Sequence, residues 1–590
     1  MTIFMKPATL YSILLILALA FFLRVYQSGS HGLYLDEKYT MVISQGIVME
    51  GANQKDVFFT PGKTYFTPAE FWKEKTFSDF IEANIRGDIG NSPVYYGFLW
   101  LWMKVFGLGD FAVRLLSVVF STLGVGMLYL FVKRHLKSES LALLSAFIAA
   151  IEPFFVAYSH MARNYSLSFL LTLVATHVFL LIVEKLKTKS PARNLYILYG
   201  FLLILSLLSH YLTLTVFLAH GIYVLFYVRF RQWFPLLLTV LASVGVVSLW
   251  FIFGGGKYTF QTLAHQAQLY RGLAQTNPFD NPYAIILPAT LQNVAVKSLP
   301  LWADLLIIFN GLGQIDTLGI RNMAIALTLG ICAVFVLKKS LTQEKPSLLL
   351  VALFAFLLVA GLPFYTVARP QYIVLSTLPS FFYLLLRHLR KSTYQVPTSL
   401  LVFLFVLATI PTLFLIVMAF KNNHTYGLTQ RYSGFSFPYS ILFVAMILRE
   451  VVSLPKAFQV VFGLVLAVQA YFVVDLLVRL YQDRAPKYTY FVNPRGPNPY
   501  ALTAEKIMQK YAPGDTILYP SIKLNPMDEI EKTYYPYSIM DAQLTNLYLP
   551  KDAAYWQRMD TTQTDQVLLL KGDTGKKIVL FDFEGRKHRY

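Results

Sequence analysis

The chain contains many apolar stretches that are long enough to cross a lipid bilayer. A membrane-spanning helix needs about 20 mostly apolar residues, and 56% of the 590 residues are hydrophobic while only 14% are charged. Because lipid offers no hydrogen bonds to the backbone, such segments fold as helices. We count about thirteen spans, at residues 8–26, 111–132, 141–158, 167–183, 195–209, 212–228, 233–253, 324–337, 348–365, 372–386, 400–420, 439–448 and 458–477.

Basic residues between these spans predict which ends face the cytoplasm. Of the net charge of +19, residues 482–590 contribute +2 (15 Lys and Arg against 13 Asp and Glu), so residues 1–481 contribute the other +17. Cytoplasmic loops of membrane proteins are enriched in Lys and Arg. The basic residues form short clusters between helices rather than one continuous patch, which argues against a nucleic-acid partner. The clusters lie at 133–137, 184–187, 229–231, 338–339 and 387–391.

These orientations predict a mostly α, polytopic membrane protein with two parts. Residues 1–480 form the transmembrane domain, whose first helix is retained rather than cleaved, because no small-residue cleavage site follows it. Its first external loop, 27–107, carries juxtamembrane helices, and a second external loop covers 254–319. Residues 481–590 form a small external α/β domain, since a helix, a Pro-Gly turn and a strand follow one another near Pro513.

Polar clusters collect at the helix ends that the charge rule places outside. Ionisable groups near hydrocarbon are costly, so they are candidates for function. The cytoplasmic clusters, in contrast, are simple Lys and Arg runs. The four external clusters are His31 with Asp36, Glu37 and Lys38; residues 158–165 with Arg163 and Tyr165; His210-Tyr211; and Arg369-Pro370-Gln371-Tyr372.

Each cluster also has a purely structural explanation. Asp36 and Glu37 suit the first turn of a helix, where acidic side chains are stabilised by the helix dipole. Arg163 suits a side chain that reaches toward lipid headgroups, and His210 suits a buried histidine bonded to a carbonyl. The positive charge of Arg369 is unfavourable at the start of a helix, where the helix dipole is also positive. A bound phosphate would offset this repulsion, so the position of Arg369 favours a phosphate partner. Their joint placement on one side is what favours function.

Together these groups suit the transfer of a sugar from a membrane-embedded phosphate donor. A carboxylate can act as general base toward a hydroxyl or amine acceptor. Arginine binds phosphate in a bidentate manner and stabilises it as negative charge grows on departure. Glycosyl transfer, with its oxocarbenium-like transition state, needs a base on one side of the sugar and a neutralised leaving group on the other.

The order of these motifs resembles the polyprenyl-phosphate-sugar glycosyltransferases of the C-type fold, a class related to protein O-mannosyltransferases (glycosyltransferase family 39-like, bacterial branch) and to aminoarabinose transferases of lipid A. The resemblance covers roughly residues 8–390. The segments that carry it are Asp36-Glu37, Asn91-Ser92-Pro93-Val94-Tyr95-Tyr96, Arg114-Leu115-Leu116-Ser117, Tyr158-Ser159-His160-Met161-Ala162-Arg163-Asn164-Tyr165, Ser209-His210-Tyr211 and Arg369-Pro370-Gln371-Tyr372.

The resemblance implies specific roles. Asp36 is the catalytic base, and Glu37 is its neighbour, orienting the acceptor or a divalent metal, whose presence is left open. The donor phosphate is bound by Arg163, Arg369, His210, Tyr165 and Tyr372. The sequence departs from many relatives at His160-Met161, which puts a metal role there in doubt, and residues 254–319 have no match that would identify the acceptor.

The predicted protein is therefore an enzyme of the cell (plasma or inner) membrane with an extracytoplasmic active site. Its partners are a polyprenyl-phosphate-sugar donor and a lipid, glycan or protein acceptor. Two alternatives stay open. One is a transporter or flippase for a lipid-linked saccharide, which would carry midplane charges between repeats. The other is a non-catalytic scaffold that binds polyprenyl phosphate and tolerates loss of Asp36.

Overall fold

The computed structural model describes the chain from residue 7 to 590 with internal gaps. The described residues are 7–49, 58, 63–87, 91–279, 285–308, 315–344, 347–364, 368–391, 396–484, 488, 494–523 and 537–590.

The first helix is a span, and a group of short helices follows it. The long apolar helix α1 gives way to polar loop sequence that folds into four shorter helices, as the sequence predicts for juxtamembrane elements. The last of them, α5, is apolar but too short to span, and its side chains Leu101, Val105 and Phe106 are exposed on one face. The helices are α1 (Pro7–Val25), α2 (Leu35–Ser44), α3 (Pro68–Phe71), α4 (Phe77–Arg86) and α5 (Pro93–Phe106).

The next seven helices, of which α7 and α8 form one bent pair, are joined by short connections. Helices α6 and α9 end in Lys and Arg, which stabilise the carbonyl end of a helix. The helices are α6 (Asp110–His135), α7 (Glu139–Ile151), α8 (Pro153–Ser159), α9 (Tyr165–Thr188), α10 (Arg193–Leu207), α11 (Leu214–Tyr227) and α12 (Trp233–Phe253).

The predicted span 141–158 is bent rather than straight. Helices α7 and α8 meet at 56°, because Pro153 has no N–H for the helix ladder and the Glu152 carboxylate caps the Phe154 N–H instead. The last carbonyls of α7 are left without helix partners. The guanidinium of Arg24 in α1 fills that gap, donating to the Ala149 and Ala150 carbonyls at 2.9 Å each.

The remaining membrane part begins with two helices in the 254–319 loop and continues with six apolar helices and one short one. Helix α18 is the longest of the helices from α13 to α20. The helices are α13 (Thr259–Thr276), α14 (Leu291–Asp304), α15 (Ile320–Leu341), α16 (Leu348–Val359), α17 (Arg369–Arg390), α18 (Thr398–Asn422), α19 (Gln430–Ser433), α20 (Phe437–Val452) and α21 (Lys456–Tyr481).

The helices of the described ranges confirm the predicted membrane architecture. Nine are long and apolar enough to span, the bent pair of α7 and α8 meets the same length and composition criteria when taken together, and three shorter apolar helices lie at 193–207, 211–227 and 348–364. These correspond one to one with the thirteen predicted segments. The mostly α, polytopic fold class is confirmed.

The C-terminal residues form a small mixed sheet with two helices. Strand β1 pairs in parallel with β2 and antiparallel with β3, and β4 pairs with β3, so the order is β2-β1-β3-β4. The predicted helix–turn–strand sequence is present as α22 and β1. The elements are α22 (Pro499–Lys510), β1 (Thr516–Pro520), α23 (Met540–Asn546), β2 (Trp556–Asp560), β3 (Gln566–Leu570) and β4 (Lys577–Asp582).

This sheet unit is docked on the first loop, next to α2. Gln557 of β2 exchanges two backbone hydrogen bonds with Phe66, at 2.9 Å each. Gln543 donates to the Val48 carbonyl at 2.8 Å, and Trp72 donates to the Asn546 carbonyl at 2.9 Å. Helix α2 also contacts this unit, because Lys38 donates to the Tyr590 backbone carbonyl at 2.6 Å.

Candidate active site

The site is built at the first turn of α2. The helix begins at Leu35, so Asp36 and Glu37 both fall in its first turn, as the sequence predicts. The Glu37 carboxylate accepts the Tyr34 N–H at 3.1 Å. This contact caps the helix start, which is the structural role that acidic residues favour at this position.

Glu37 is completely buried by positive partners. Arg114 of α6 donates two hydrogen bonds to its two oxygens, at 2.8 Å each. The Ala162 N–H adds a third at 2.8 Å, and an Arg495 nitrogen lies 3.5 Å away. Burial by itself raises the pKa of Glu37, but the Arg114 charge and hydrogen bonds outweigh it and hold that pKa below its ordinary value.

Asp36 is the carboxylate that stays open to solvent. Its side chain is 37% exposed, whereas that of Glu37 is 0% exposed. The Tyr34 hydroxyl donates to its Oδ2 at 3.2 Å, and Arg431 Nη1 lies 3.8 Å from the same oxygen. Of the two predicted catalytic carboxylates, only Asp36 can therefore meet an acceptor directly.

Arg163 binds the helix on which Asp36 stands. Its Nη1 donates to the Thr40 hydroxyl at 2.8 Å and to the Asp36 backbone carbonyl at 3.3 Å. The side chain is mostly buried, so it does not extend freely toward headgroups. The structure thus places this predicted phosphate ligand beside Asp36.

Tyr165 and His210 line the same region. Their rings lie 5.6 Å apart, and His210 also lies 6.3 Å from the ring of Tyr432. The guanidinium of Arg431 stacks 4.5 Å above that Tyr432 ring. His210 Nδ1 accepts the Leu212 N–H at 3.1 Å, so part of its role is to cap the turn before α11.

Arg369 and Tyr372 belong to a neighbouring group of residues. Tyr372 is fully buried, and its hydroxyl accepts the Gly361 N–H at 3.0 Å. It packs in an apolar cluster that includes Ala303. Their described contacts do not include Asp36. The link between the two groups is Gln430, which neighbours Arg431 and donates to Asp304 at 3.0 Å.

Sequence reasoning missed three charged residues of this region. Arg431 lies between spans 400–420 and 439–448, on the side that the charge rule makes external, so its Arg-Tyr pair carried the same signal as the other clusters. Asp483 and Arg495 lie just after the last span. No local pattern marks them as part of the site, because Arg495 meets Gly32 and Glu37 more than 400 residues earlier in the chain.

The residues around Glu37 offer poor metal ligands. Both Glu37 oxygens already accept hydrogen bonds from Arg114. Over the described ranges, no group of three His, Cys, Asp or Glu side chains is placed to hold a metal ion. The expectation of a divalent metal near Glu37 stays untested.

Two cavities flank α2. A polar one of about 20 Å³, room for one water molecule, lies between Glu37, Arg114, His160 and Arg495. A larger one of about 510 Å³ lies at the opposite end of the helix, between α4 and α5, and its lining is mostly apolar.

Several solved structures are similar to this chain at low identity. The apo oligosaccharyltransferase of Archaeoglobus fulgidus is 13% identical, with a TM-score of 0.42, and the match covers 95% of this chain and 65% of that one. AglB of the same organism, in complex with an inhibitory peptide and a dolichol-phosphate, is 14% identical over 87% and 59% of the two chains, with a TM-score of 0.42.

ArnT of Cupriavidus metallidurans bound to undecaprenyl phosphate is 13% identical over 92% of this chain and 84% of that chain, with a TM-score of 0.35. The chain spans about 55–65% of the length of the archaeal enzymes that it matches. At TM-scores below 0.5, these likenesses support no argument about function. No curated protein sequence matches the chain significantly.

A family match confirms the resemblance that the motifs predicted. Residues 90–253 match the sequence model of the dolichyl-phosphate-mannose-protein mannosyltransferase family. The matched segment runs from just before α5 to the end of α12 and contains Arg114, Arg163, Tyr165 and His210. The chain thus combines apolar helices of membrane-spanning length with a match to that family over residues 90–253.

Proposed function

We propose that the protein transfers a sugar from a polyprenyl-phosphate-linked donor to an acceptor on the extracytoplasmic side of the cell membrane. The observation that carries this proposal is the half-exposed Asp36 carboxylate with Arg431 and Arg163 beside it, on the loop that the charge rule places outside. The name of the matched family supports a donor in which a sugar is joined to a lipid phosphate.

The transfer is a single displacement. The acceptor oxygen or nitrogen forms a bond to the anomeric carbon of the sugar while the bond from that carbon to the phosphate oxygen breaks. Asp36 takes the proton that the acceptor loses. Polyprenyl phosphate leaves with one more negative charge than it had in the donor. In a single displacement the configuration at the anomeric carbon is inverted.

Arginine charge stabilises that leaving group. A guanidinium is always protonated and matches the geometry of phosphate oxygens. Arg431 and Arg163 are the arginines closest to Asp36 among its described contacts, so we assign the phosphate to them. Tyr165 and His210 line the same region. The phosphate-binding roles predicted for Arg369 and Tyr372 stay predictions.

Glu37 has a supporting role in this scheme. Its burial and its Arg114 pair prevent contact with an acceptor. It caps α2 and binds Arg114, and so it holds the turn from which Asp36 projects. We therefore treat Glu37 as a positioning residue rather than as a second base.

The direct experiment replaces Asp36 with Asn. Cell membranes containing the protein are supplied with undecaprenyl phosphate carrying radiolabelled mannose or a labelled pentose, and label is followed into lipid, glycan and protein fractions. Because general-base catalysis contributes typically 10²–10⁴-fold, we expect Asp36→Asn to lower transfer by about that factor.

Glu70→Gln is the matched control, because Glu70 is an exposed carboxylate in the same loop, paired with Lys63. It should transfer at the wild-type rate. Unchanged transfer by Asp36→Asn would remove the proposed base. If the wild-type protein consumes neither donor in membranes that contain every native acceptor, the proposed donor classes are wrong.

A further inference from the structure

The segment that connects the last span to the C-terminal sheet reaches the candidate active site with two buried charged residues. Arg495 is 8% exposed at its side chain and Asp483 is 3% exposed. Two side-chain nitrogens of Arg495 donate to the two Asp483 oxygens, at 2.8 Å each, and the Arg495 backbone N–H donates to Asp483 at 2.7 Å. This is a bidentate pair held in one geometry.

The third nitrogen of Arg495 is directed at the start of α2. Its Nη1 donates to the Gly32 carbonyl at 2.9 Å and lies 3.5 Å from Glu37 Oε2. Arg114 binds the same two groups from the membrane side, donating to the Gly32 carbonyl at 3.0 Å. The Gly32 N–H in turn donates to the Gly496 carbonyl at 2.9 Å. Residues 32–37 are thus held from both sides.

The balance of buried charges around Glu37 explains why Arg495 is paired with Asp483. Two arginines face the buried Glu37, and Asp110 is a further acid close to Arg114, so Arg495 needs an acid of its own. An unpaired buried charge is strongly unfavourable. Asp483 supplies that negative charge and keeps the Arg495 guanidinium turned so that its Nη1 meets Gly32 and Glu37.

We propose that Asp483 and Arg495 are positioning residues for Asp36, and that they make the C-terminal unit a part of the catalytic structure. The proposal rests on the proposed function of Asp36. A catalytic group misplaced by about 1 Å can cost roughly 10²-fold in rate. Neither residue touches Arg431, Arg163 or the donor region in the described contacts, so the effect falls on the rate at saturating donor and spares donor binding.

The first test measures transfer from undecaprenyl phosphate carrying the labelled sugar that the wild-type protein uses, at varied donor concentration. We expect Asp483→Asn and Arg495→Gln to lower the saturated rate about tenfold or more, with half-saturating donor within about twofold of wild type. The double variant should be no slower than Arg495→Gln alone, because the two residues act as one unit. Arg495→Lys, which keeps the charge, should retain more activity than Arg495→Gln.

Asp515→Asn is the matched control. Asp515 is a buried acid of the C-terminal unit that pairs with Lys571 at 2.5 Å. It is comparable in burial and chemistry, and its described partners all lie within that unit. We expect the control to transfer at the wild-type rate.

A second test does not depend on transfer. Amide hydrogen exchange over residues 33–44 should be faster in Asp483→Asn than in wild type, and unchanged in Asp515→Asn. If Asp483→Asn folds poorly, the milder Arg495→Lys is measured in its place.

The outcomes separate the two proposals. Wild-type exchange and wild-type rates in Asp483→Asn and Arg495→Gln would overturn the inference. Faster exchange with an unchanged saturated rate would make the pair merely structural and would also overturn the positioning role. If Asp36→Asn keeps full transfer, the proposed function fails and the positioning role fails with it. The hydrogen-exchange result still decides whether Asp483 and Arg495 hold α2 in place.

Discussion

At the scale of single residues, two neighbouring carboxylates have opposite environments. Consecutive side chains on a helix point about 100° apart, so the first turn of α2 turns Glu37 toward Arg114 and leaves Asp36 at the surface. The pair is therefore not a dyad that shares a proton. One carboxylate holds the structure together, and its neighbour is available for chemistry.

Removing the Glu37 charge should destabilise the protein. Glu37→Gln leaves Arg114 and Arg495 without their buried partner, a change that typically costs about 3–5 kcal/mol. We expect a clearly lower thermal unfolding midpoint in detergent at pH 7, with Glu70→Gln close to wild type. An unfolding midpoint for Glu37→Gln equal to that of wild type would contradict the burial and pairing described here.

The contribution of Glu37 to the stability of the wild-type protein depends on pH. Because the pKa of Glu37 is lowered on folding, its contribution to stability is complete above the unfolded value of about 4.3 and is lost as pH falls through the lower folded value. Wild type should therefore lose more stability than Glu37→Gln when pH is lowered below about 4.3. The measurement is the unfolding midpoint from pH 6 down to pH 3, and parallel curves would count against the assignment.

Arg431 should act on the donor. Hydrogen bonds to charged groups contribute about 1.5–3 kcal/mol, so Arg431→Gln should raise half-saturating donor at least tenfold, and Arg431→Lys should raise it less. Arg479→Gln is the control, because Arg479 makes an exposed pair with Asp475 at the end of α21. An Arg431→Gln enzyme with wild-type donor affinity would show that another group binds the phosphate.

At the scale of helices, the break between α7 and α8 brings the 158–165 cluster to the site. If α7 continued without a bend, residues 158–165 would lie further along the axis of α7. The 56° bend at Pro153 instead turns the chain, so the Ala162 N–H reaches Glu37 and Arg163 reaches Thr40. The bend is stable because Arg24 satisfies the carbonyls that it frees.

Arg24 should therefore matter for stability more than for donor binding. Arg24→Leu leaves the Ala149 and Ala150 carbonyls and the Ser121 hydroxyl without a buried donor, and each unsatisfied group costs about 1–3 kcal/mol. We expect a lower unfolding midpoint with half-saturating donor unchanged. Arg193→Leu, at the exposed start of α10, is the control. Equal midpoints for the two variants would contradict the bridging role.

At the scale of the whole molecule, the C-terminal unit is packed against the loop that carries Asp36. Gln557, Gln543 and Arg495 all bond to residues before Gly87 in the sequence. The unit and the first loop must therefore lie on the same side of the membrane. Loop charge predicts that this side is external.

Labelling of single cysteines tests that sidedness. In a Cys332→Ser background, Lys510→Cys in α22 should react with a membrane-impermeant maleimide on intact cells. Lys187→Cys, in a basic cluster between spans, should react only in inside-out vesicles. Both positions are exposed. Labelling of Lys187→Cys on intact cells would reverse the orientation and move the proposed active site to the cytoplasm.

Local sequence patterns were sufficient to predict the helices and part of the candidate site. Hydrocarbon thickness sets the length of a span, and loop charge sets its direction, so the thirteen segments could be read locally. The same two rules located Asp36, Arg163, Tyr165 and His210 at external helix ends, and the structure brings these four close together.

Which charged residues pair with one another depends on the packing of the whole chain. Glu37 and Arg114 are 77 residues apart, and nothing in either local pattern shows that they pair or that Asp36 is left exposed. Arg431, Asp483 and Arg495 come from later in the chain and converge on α2 through helix packing and through docking of the C-terminal unit. Contacts of that kind depend on how helices pack in three dimensions, and a one-dimensional pattern of apolar and charged residues does not contain that arrangement.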